Sequence, residues 1–142
     1  MNWKITVRGF LGLVVSVWPL AAGEAAQAAV DFDRDVRPIL SERCFTCHGP
    51  DDGTRVNALR FDEEDAAFAR LANGGFAIVR GNARESVLLD RVTSNDPVRR
   101  MPPGYKGFEK LPEKEIEVLR SWIEQGATLV VRSADPSEAT RR

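Results

Sequence analysis

Residues 43–52, RCFTCHGPDD, contain both cysteines of the chain, Cys44 and Cys47, and its one histidine, His48. A chain of 142 residues therefore places all its thiols and its only imidazole within five consecutive positions. Thiols and imidazoles are the side chains that bind soft metals and that take part in redox chemistry. We therefore interpret the rest of the chain around this segment.

Four kinds of site use cysteines at this spacing. A structural zinc site normally needs four Cys or His ligands, whereas this chain offers three, two of them adjacent. A disulfide between Cys44 and Cys47 is compatible with an exported protein. A thiol–disulfide oxidoreductase also uses C-x-x-C, but near a βαβ pattern that this sequence lacks. The fourth is covalent haem, for which C-x-x-C-H is the attachment pattern, because two thiols reach two vinyl groups of one porphyrin and the next imidazole binds its iron. We favour this reading, with one haem c per chain, His48 as the proximal ligand and the thiols as the attachment points.

Met101 is the predicted sixth ligand of the iron. It is the only methionine besides Met1, and it lies in the segment RRMPPGYKGF, where Pro102 and Pro103 stiffen the backbone. A rigid loop holds a thioether against a metal at little entropic cost. The alternative is a methionine that fills a gap in the core. Weaker substitutes are an open site or one of three nearby side chains, Tyr105, Lys106 and Lys110.

A few other side chains are candidates for contact with a cofactor. Arg99 and Arg100 flank the predicted ligand and can pair with haem propionates, dock a partner or remain a solvated pair. Trp122 is expected to pack one helix against another. Three apolar residues are candidates for the haem wall or for ordinary core: Phe76, Ile78 and Val79.

The N-terminus has the three-part layout of a secretory signal. Lys4 and Arg8 precede an uncharged run from Gly9 to Gly23, and residues 26–28 (Ala-Gln-Ala) form a cleavage pattern. The uncharged run is shorter than the roughly 20 residues that a transmembrane helix needs. We therefore predict a signal peptide at residues 1–28 and a periplasmic protein, which stays at the membrane only if this segment is not cleaved.

The charge of the chain argues against nucleic acid as a partner. Loss of residues 1–28 would remove Lys4, Arg8 and Glu24, which changes the net charge from −1 to −2. No segment is strongly basic, as a nucleic-acid-binding face would be. The last ten residues, 133–142, are polar and are expected to form a disordered tail, so that the predicted domain spans residues 29–132.

The chain is predicted to be all-α, with about four helices and long loops. The first helix is expected from Asp31 to His48, capped by Asp33 or Asp35, with Pro38 tolerated in its first turn. Its apolar residues follow helical spacing.

Three further helices are predicted downstream. The second runs from Asp62 to Ala72. The third opens at the capping pattern of residues 82–85 and continues through Val92. The fourth runs from Pro112 to Gln125, ahead of a glycine. Residues 75–81 are short, apolar and bounded by glycines, and we expect an extended loop there. The apolar stripe of the last helix is Ile116, Leu119, Trp122 and Ile123.

Four blocks of the sequence together resemble the planctomycete-type cytochrome c domain of exported bacterial proteins. They are DFDRDVRPILSERCFTCHGPD, FAIVRGNARESVLLDRVTSNDP, RMPP and LPEKEIEVLRSWIEQGA, in the order of that family, and they cover residues 31–127. The resemblance implies a small cytochrome c fold around one haem attached at Cys44 and Cys47. It also implies His48 as the proximal ligand and Met101 at the distal position.

Two functions follow from this interpretation. The first is a one-electron carrier with His/Met-ligated iron, which exchanges electrons with redox partner proteins and is not itself an enzyme. The second is a haem module, or a subunit of a larger exported oxidoreductase or sensor, in which the sixth position of the iron is open.

Overall fold

The computed structural model describes residues 28–129. The predicted signal peptide, apart from its last residue, and the predicted tail lie outside the described residues. Between residues 28 and 129, no helix is both long enough and apolar enough to cross a membrane.

The described part of the chain is helical. Its five α-helices are α1 (Arg37–Arg43), α2 (Phe45–His48), α3 (Glu64–Ala67), α4 (Val87–Thr93) and α5 (Glu113–Glu124). A π-helical turn, Phe32–Val36, precedes α1, and a 3-10 turn, Gly104–Lys106, precedes α5. Residues 28–129 form no strand, and Phe76 makes only isolated bridges to Arg70 and Ser86. The predicted all-α class with long loops is confirmed.

The first predicted helix begins with a reciprocal cap. The Asp31 carboxylate accepts from the Arg34 backbone N–H at 3.0 Å, and Asp35 Oδ2 accepts from the Asp31 N–H at 2.9 Å. Two backbone donors that a helix start leaves without partners are thus satisfied. The predicted caps, Asp33 or Asp35, were wrong, because Asp31 is the capping residue. Pro38 lies in the first turn of α1, as expected.

This helix is broken at Cys44, which corrects the prediction of one continuous helix from Asp31 to His48. Cys44 has φ −123°, far from the helical value near −63°, although its ψ of −35° stays close to the helical value near −42°. The break turns the chain between α1 and α2, while the Cys44 N–H still donates to Leu40 O at 2.9 Å. Cys44 itself is buried in the core.

The second predicted helix is shorter than expected. It was predicted to reach Ala72, but α3 ends at Ala67. The reason lies in the backbone hydrogen bonds, since the Leu71 N–H donates to Gly75 O at 3.0 Å instead of continuing the helix. The residues after position 67 therefore leave the helix, and residues 71–75 form a turn that ends at Gly75.

The third helix begins five residues later than predicted. Asn82 Oδ1 accepts from the Glu85 N–H at 3.2 Å, as a cap would, but the helix starts at Val87. Ser86 precedes it without capping it, because its hydroxyl accepts from the Val79 N–H and donates to Asn82 O, both at 2.8 Å. The buried Ser86 thus fastens the extended segment 75–81 to α4.

We expect Ser86→Ala to lower the free energy of unfolding by about 1–3 kcal/mol, because it leaves the Val79 N–H and the Asn82 carbonyl without this partner. Ser41→Ala is the control, since the Ser41 hydroxyl is exposed and donates only to Pro38 O. Its effect is expected within about 0.5 kcal/mol. Urea unfolding measures both, and equal effects would contradict the role given to Ser86.

The last helix, α5, matches the prediction within one residue at each end. Its predicted apolar stripe is buried, and the Trp122 ring lies 5.7 Å from the Phe32 ring between centroids. Trp122 therefore packs α5 against the turn before α1, and its Nε1 donates to Thr128 O at 3.2 Å. Helix α5 also packs against α4. One side of α4 therefore faces the core, and α4 also contributes side chains to the wall of a cavity.

Candidate functional site

The four predicted site residues line one cavity of about 590 Å³. This volume is within the range of about 300–1,000 Å³ typical of cofactor sites. Cys44 lies directly before α2, Cys47 and His48 are the last two residues of α2, and Met101 lies in a loop 53 residues after His48. The fold therefore brings together residues that the sequence separates. Their role as haem ligands stays a prediction.

The C-x-x-C-H motif forms a tight turn whose carbonyl groups also anchor the following loop. The N–H groups of Cys47 and His48 both donate to Cys44 O, at 3.0 and 2.8 Å. Further along, the Val56 N–H donates to Cys47 O at 3.2 Å and the Phe61 N–H donates to His48 O at 2.9 Å. The loop after the motif is thus held against the turn and supplies part of the cavity wall.

Gly49 allows this loop to leave the motif. A Cβ atom at this position would lie 2.5 Å from the Phe45 carbonyl oxygen and 2.6 Å from the Phe45 Cβ. Both atoms belong to or adjoin the backbone, so they cannot move aside cheaply. The turn after His48 therefore requires glycine.

We expect Gly49→Ala to destabilise the holoprotein by about 1–3 kcal/mol, the usual cost of forcing extra atoms into a packed site. Gly53→Ala is the matched control, because its Cβ would meet only the side chain of Asp51 on an exposed loop. Thermal unfolding of the two variants compares them. A loss of stability in Gly53→Ala equal to that in Gly49→Ala would refute the steric explanation.

Both cysteines have free thiols, and Cys44 is the more buried of the two. Burial raises the pKa of the Cys44 thiol to about 12, and the neighbouring Cys47 and Glu115 act in the same direction. Cys44 is therefore a thiol, not a thiolate, at neutral pH. Redox-active dithiols depend on a thiolate of lowered pKa, so the environment of Cys44 does not favour that alternative.

His48 offers a neutral imidazole to the cavity. Burial lowers its pKa, an effect that the Leu59 backbone and the Asn57 side chain partly oppose. Its Nδ1 atom is buried and has no well-formed hydrogen bond among residues 28–129. The ring contacts Phe61 edge-on, with 5.8 Å between centroids. A neutral, ring-packed imidazole is the form of histidine that binds metals.

The loop that carries Met101 is fastened by its own backbone. The Met101 N–H donates to Arg91 O at 3.0 Å, near the end of α4. Pro102 and Pro103 are both buried and line the cavity with Met101. The half-buried Met101 side chain thus belongs to the cavity wall and not to the hydrophobic core, which weakens the alternative of a core filler.

The remaining wall is mostly apolar, but it differs from the predicted one. Phe76 is largely exposed, Ile78 is buried in the core, and neither they nor Val79 line the cavity. The neighbouring Ala77 lines it instead. The apolar side chains that line it include Val56, Leu59, Phe61, Leu71, Val87, Leu88, Val92 and Phe108.

The charged side chains that line the cavity are mainly basic. They are Arg43, Arg70, Arg91 and Lys106, against one acidic residue, Glu42. Arg99 and Arg100, the predicted propionate partners, are not among them. Arg99 pairs with the Asp90 carboxylate, and Arg100 Nη2 donates to Phe108 O at 2.6 Å.

The donor set fits a haem better than a bare metal ion. Among residues 28–129, no group of three or more His, Cys, Asp or Glu side chains is placed to hold a metal ion. A haem requires less of the chain, because the porphyrin provides four nitrogen ligands and leaves two axial positions. The cavity offers one imidazole and one thioether for these positions, and two thiols for covalent attachment.

Comparison with protein families bears on the same residues. Residues 44–104 match the family described as planctomycete cytochrome C. The resemblance seen in the sequence is therefore confirmed, over a segment that contains the whole motif and Met101. A cytochrome c family segment indicates a c-type cytochrome with haem c, and the Cys44–Cys47 spacing fits C-x-x-C attachment. No curated protein and no solved structure gave a significant match.

Arg91 is a cavity residue that the sequence interpretation missed. A signal for it was present, because Arg91 lies four positions after Val87 and three after Leu88, on the predicted third helix. Residues three or four apart share a helix face. A charged residue on the face expected to be apolar is a reason to look for a specific partner.

Proposed function

We propose that the protein is a mono-haem c-type cytochrome that carries one electron at a time. The observation that supports this most strongly is the convergence of Cys44, Cys47, His48 and Met101 on one cavity. Three of these residues adjoin one another in the sequence, but the fourth does not. A haem held by two side chains of one chain would need both of them at the same cavity, as His48 and Met101 are.

The attachment uses the two thiols. Each thiol would add across one vinyl group, with a carbon–sulfur bond formed and the thiol hydrogen placed on the other vinyl carbon. No oxidant or reductant is consumed. The bound group supplies an iron that cycles between ferrous and ferric states, at a potential raised by His/Met ligation.

The chain's own residues set the environment of this iron. His48 provides a nitrogen that burial keeps unprotonated, and Met101 provides a soft sulfur from a proline-stiffened loop. The mostly apolar wall lowers the polarity around the site, which favours its less charged state. Arg70 and Lys106 line the cavity with no side-chain hydrogen bond or ion pair among residues 28–129, and we assign them to the two propionate carboxylates.

The proposed setting is the periplasm, and the proposed partners are other redox proteins or a larger exported oxidoreductase. The charged and apolar pattern of residues 1–28 supports export. The protein acts as a carrier in this proposal, and the chemistry of substrates belongs to its partners.

The experiment that tests this function is a redox titration of protein matured with haem, together with its intact mass. We expect the denatured chain to keep the mass of one haem, and the native protein to titrate reversibly as a one-electron centre. A chain of unmodified mass from cells that mature a control cytochrome would contradict the proposal. So would a centre that cannot be cycled.

A further inference from the structure

Residues 94–103, here called the Met101 loop, are bound to α4 by contacts that converge on two adjacent residues. Arg99 Nη2 donates to both carboxylate oxygens of Asp90, at 2.8 and 2.7 Å. Arg91 Nη1 donates to Arg99 O at 2.9 Å, and Arg91 O accepts from the Met101 N–H at 3.0 Å. The Met101 loop is therefore bound to α4 through the side chain of Arg99 and through the backbone of Arg99 and Met101.

Arg91 is central to this arrangement. Its guanidinium fixes the loop two residues before Met101, and its carbonyl fixes Met101 itself. Its side chain is half-buried and lines the cavity, whereas Asp90 and Arg99 are about half exposed. A hydrogen bond from a charged donor is stronger than a neutral one, whereas an exposed ion pair contributes little. We therefore expect Arg91 to matter more than the Asp90–Arg99 pair.

We propose that Arg91 is a positioning residue for Met101, an inference that rests on the proposed function. A thioether is a weak ligand for ferric iron, and Tyr105 lines the same cavity as a competitor, as does Lys106 whenever it leaves its propionate. Methionine keeps the sixth position only if its sulfur is placed there in advance, because a free loop would lose entropy on each binding event. The two hydrogen bonds of Arg91 remove that freedom before the sulfur binds.

The test uses the covalent holoprotein and the variant Arg91→Met, which removes the guanidinium but keeps an apolar stem of similar length. Added imidazole is the probe, because it displaces methionine from ferric iron and changes the absorption spectrum. We expect imidazole to bind about tenfold more tightly to Arg91→Met than to the wild type. The Met101 amide hydrogen should exchange with solvent about tenfold faster.

Three further variants make the result specific. Arg91→Lys keeps one charged donor and should recover part of the effect. Asp90→Asn should change imidazole affinity in the same direction but by only about two- to threefold. Arg120→Met is the matched control, because Arg120 pairs with Glu117 on α5 and does not line the cavity; it should leave both readouts unchanged.

The proposal would be overturned if Arg91→Met had the same imidazole affinity and the same Met101 amide exchange rate as Arg120→Met. A loss of thermal stability in Arg91→Met with unchanged imidazole affinity would also overturn it, because a residue with only a structural role would give that result. If the wild type shows no methionine ligation, the ligand assignment itself is wrong. In that case, faster hydrogen exchange of the Met101 amide in Arg91→Met than in the wild type would still show that Arg91 positions the loop, and equal exchange would show that it does not.

Discussion

Replacing both Cys44 and Cys47 with alanine is expected to abolish covalent haem, so that the denatured chain carries no haem stain. The reason is that each thiol forms its own carbon–sulfur bond to the porphyrin, and the chain has no other cysteine. Either single variant should keep one bond and remain stained after denaturation. Haem staining of a denaturing gel, normalised to the total protein in each lane, measures the covalent haem of the double variant and of both single variants.

Thr46→Ala is the control for this experiment. Thr46 lies between the two cysteines and is exposed, so its replacement keeps the spacing of the motif and both thiols. It should stain as the wild type does. Full staining of the double cysteine variant would remove the basis for a c-type attachment, and the disulfide and redox-dithiol interpretations would return.

Replacing Met101 with leucine is expected to lower the reduction potential by on the order of 0.1 V or more, within the roughly 0.8 V range that axial ligands span. A thioether stabilises ferrous over ferric iron, and leucine has no atom that binds iron. The reduced variant should also bind carbon monoxide at once, whereas the wild type should resist it. Potentiometry and carbon monoxide difference spectra measure the two effects.

Leucine is chosen because it removes the sulfur that would bind iron but keeps most of the volume that methionine fills in the packing. Exchange of methionine for leucine nearly conserves volume and usually costs less than about 1.5 kcal/mol. If Met101 only filled space, the potential would stay as in the wild type. Lys106 and Tyr105 line the same cavity, so Met101→Leu is best compared with Met101→Leu/Lys106→Ala to detect a replacement ligand.

The sequence predicted best those features that depend on local chemistry. The last helix was predicted within one residue, because Pro112 and Gly126 mark its ends and four apolar residues at helical spacing mark its buried face. The C-x-x-C-H motif was recognised for the same reason, since its chemistry lies within five positions.

The features that the sequence did not predict depend on individual hydrogen bonds and backbone angles. The break at Cys44 has no proline or glycine to signal it. Before the late start of α4, the Ser86 hydroxyl bonds to the Val79 N–H and to Asn82 O, seven and four positions earlier. Propensity does not register a hydrogen bond to a residue seven positions away.

The charged lining of the cavity shows the same limit. Arg99 and Arg100 were candidates for propionates because they adjoin Met101 in sequence, yet their side chains bond to Asp90 and to Phe108 O. Arg70 and Lys106 line the cavity instead. Neighbours in the sequence of a loop point in different directions, and only the fold decides which of them face the site.

We propose that one iron is held by His48 and Met101 in a covalently attached haem. The absorption spectrum of ferric wild-type holoprotein tests it most directly, because sulfur bound to ferric haem gives a weak charge-transfer band at the red end of the visible range. We expect this band in the wild type and not in Met101→Leu. A wild-type spectrum without the band, from protein that also binds carbon monoxide at once when reduced, would contradict it and would favour a haem site with an open sixth position.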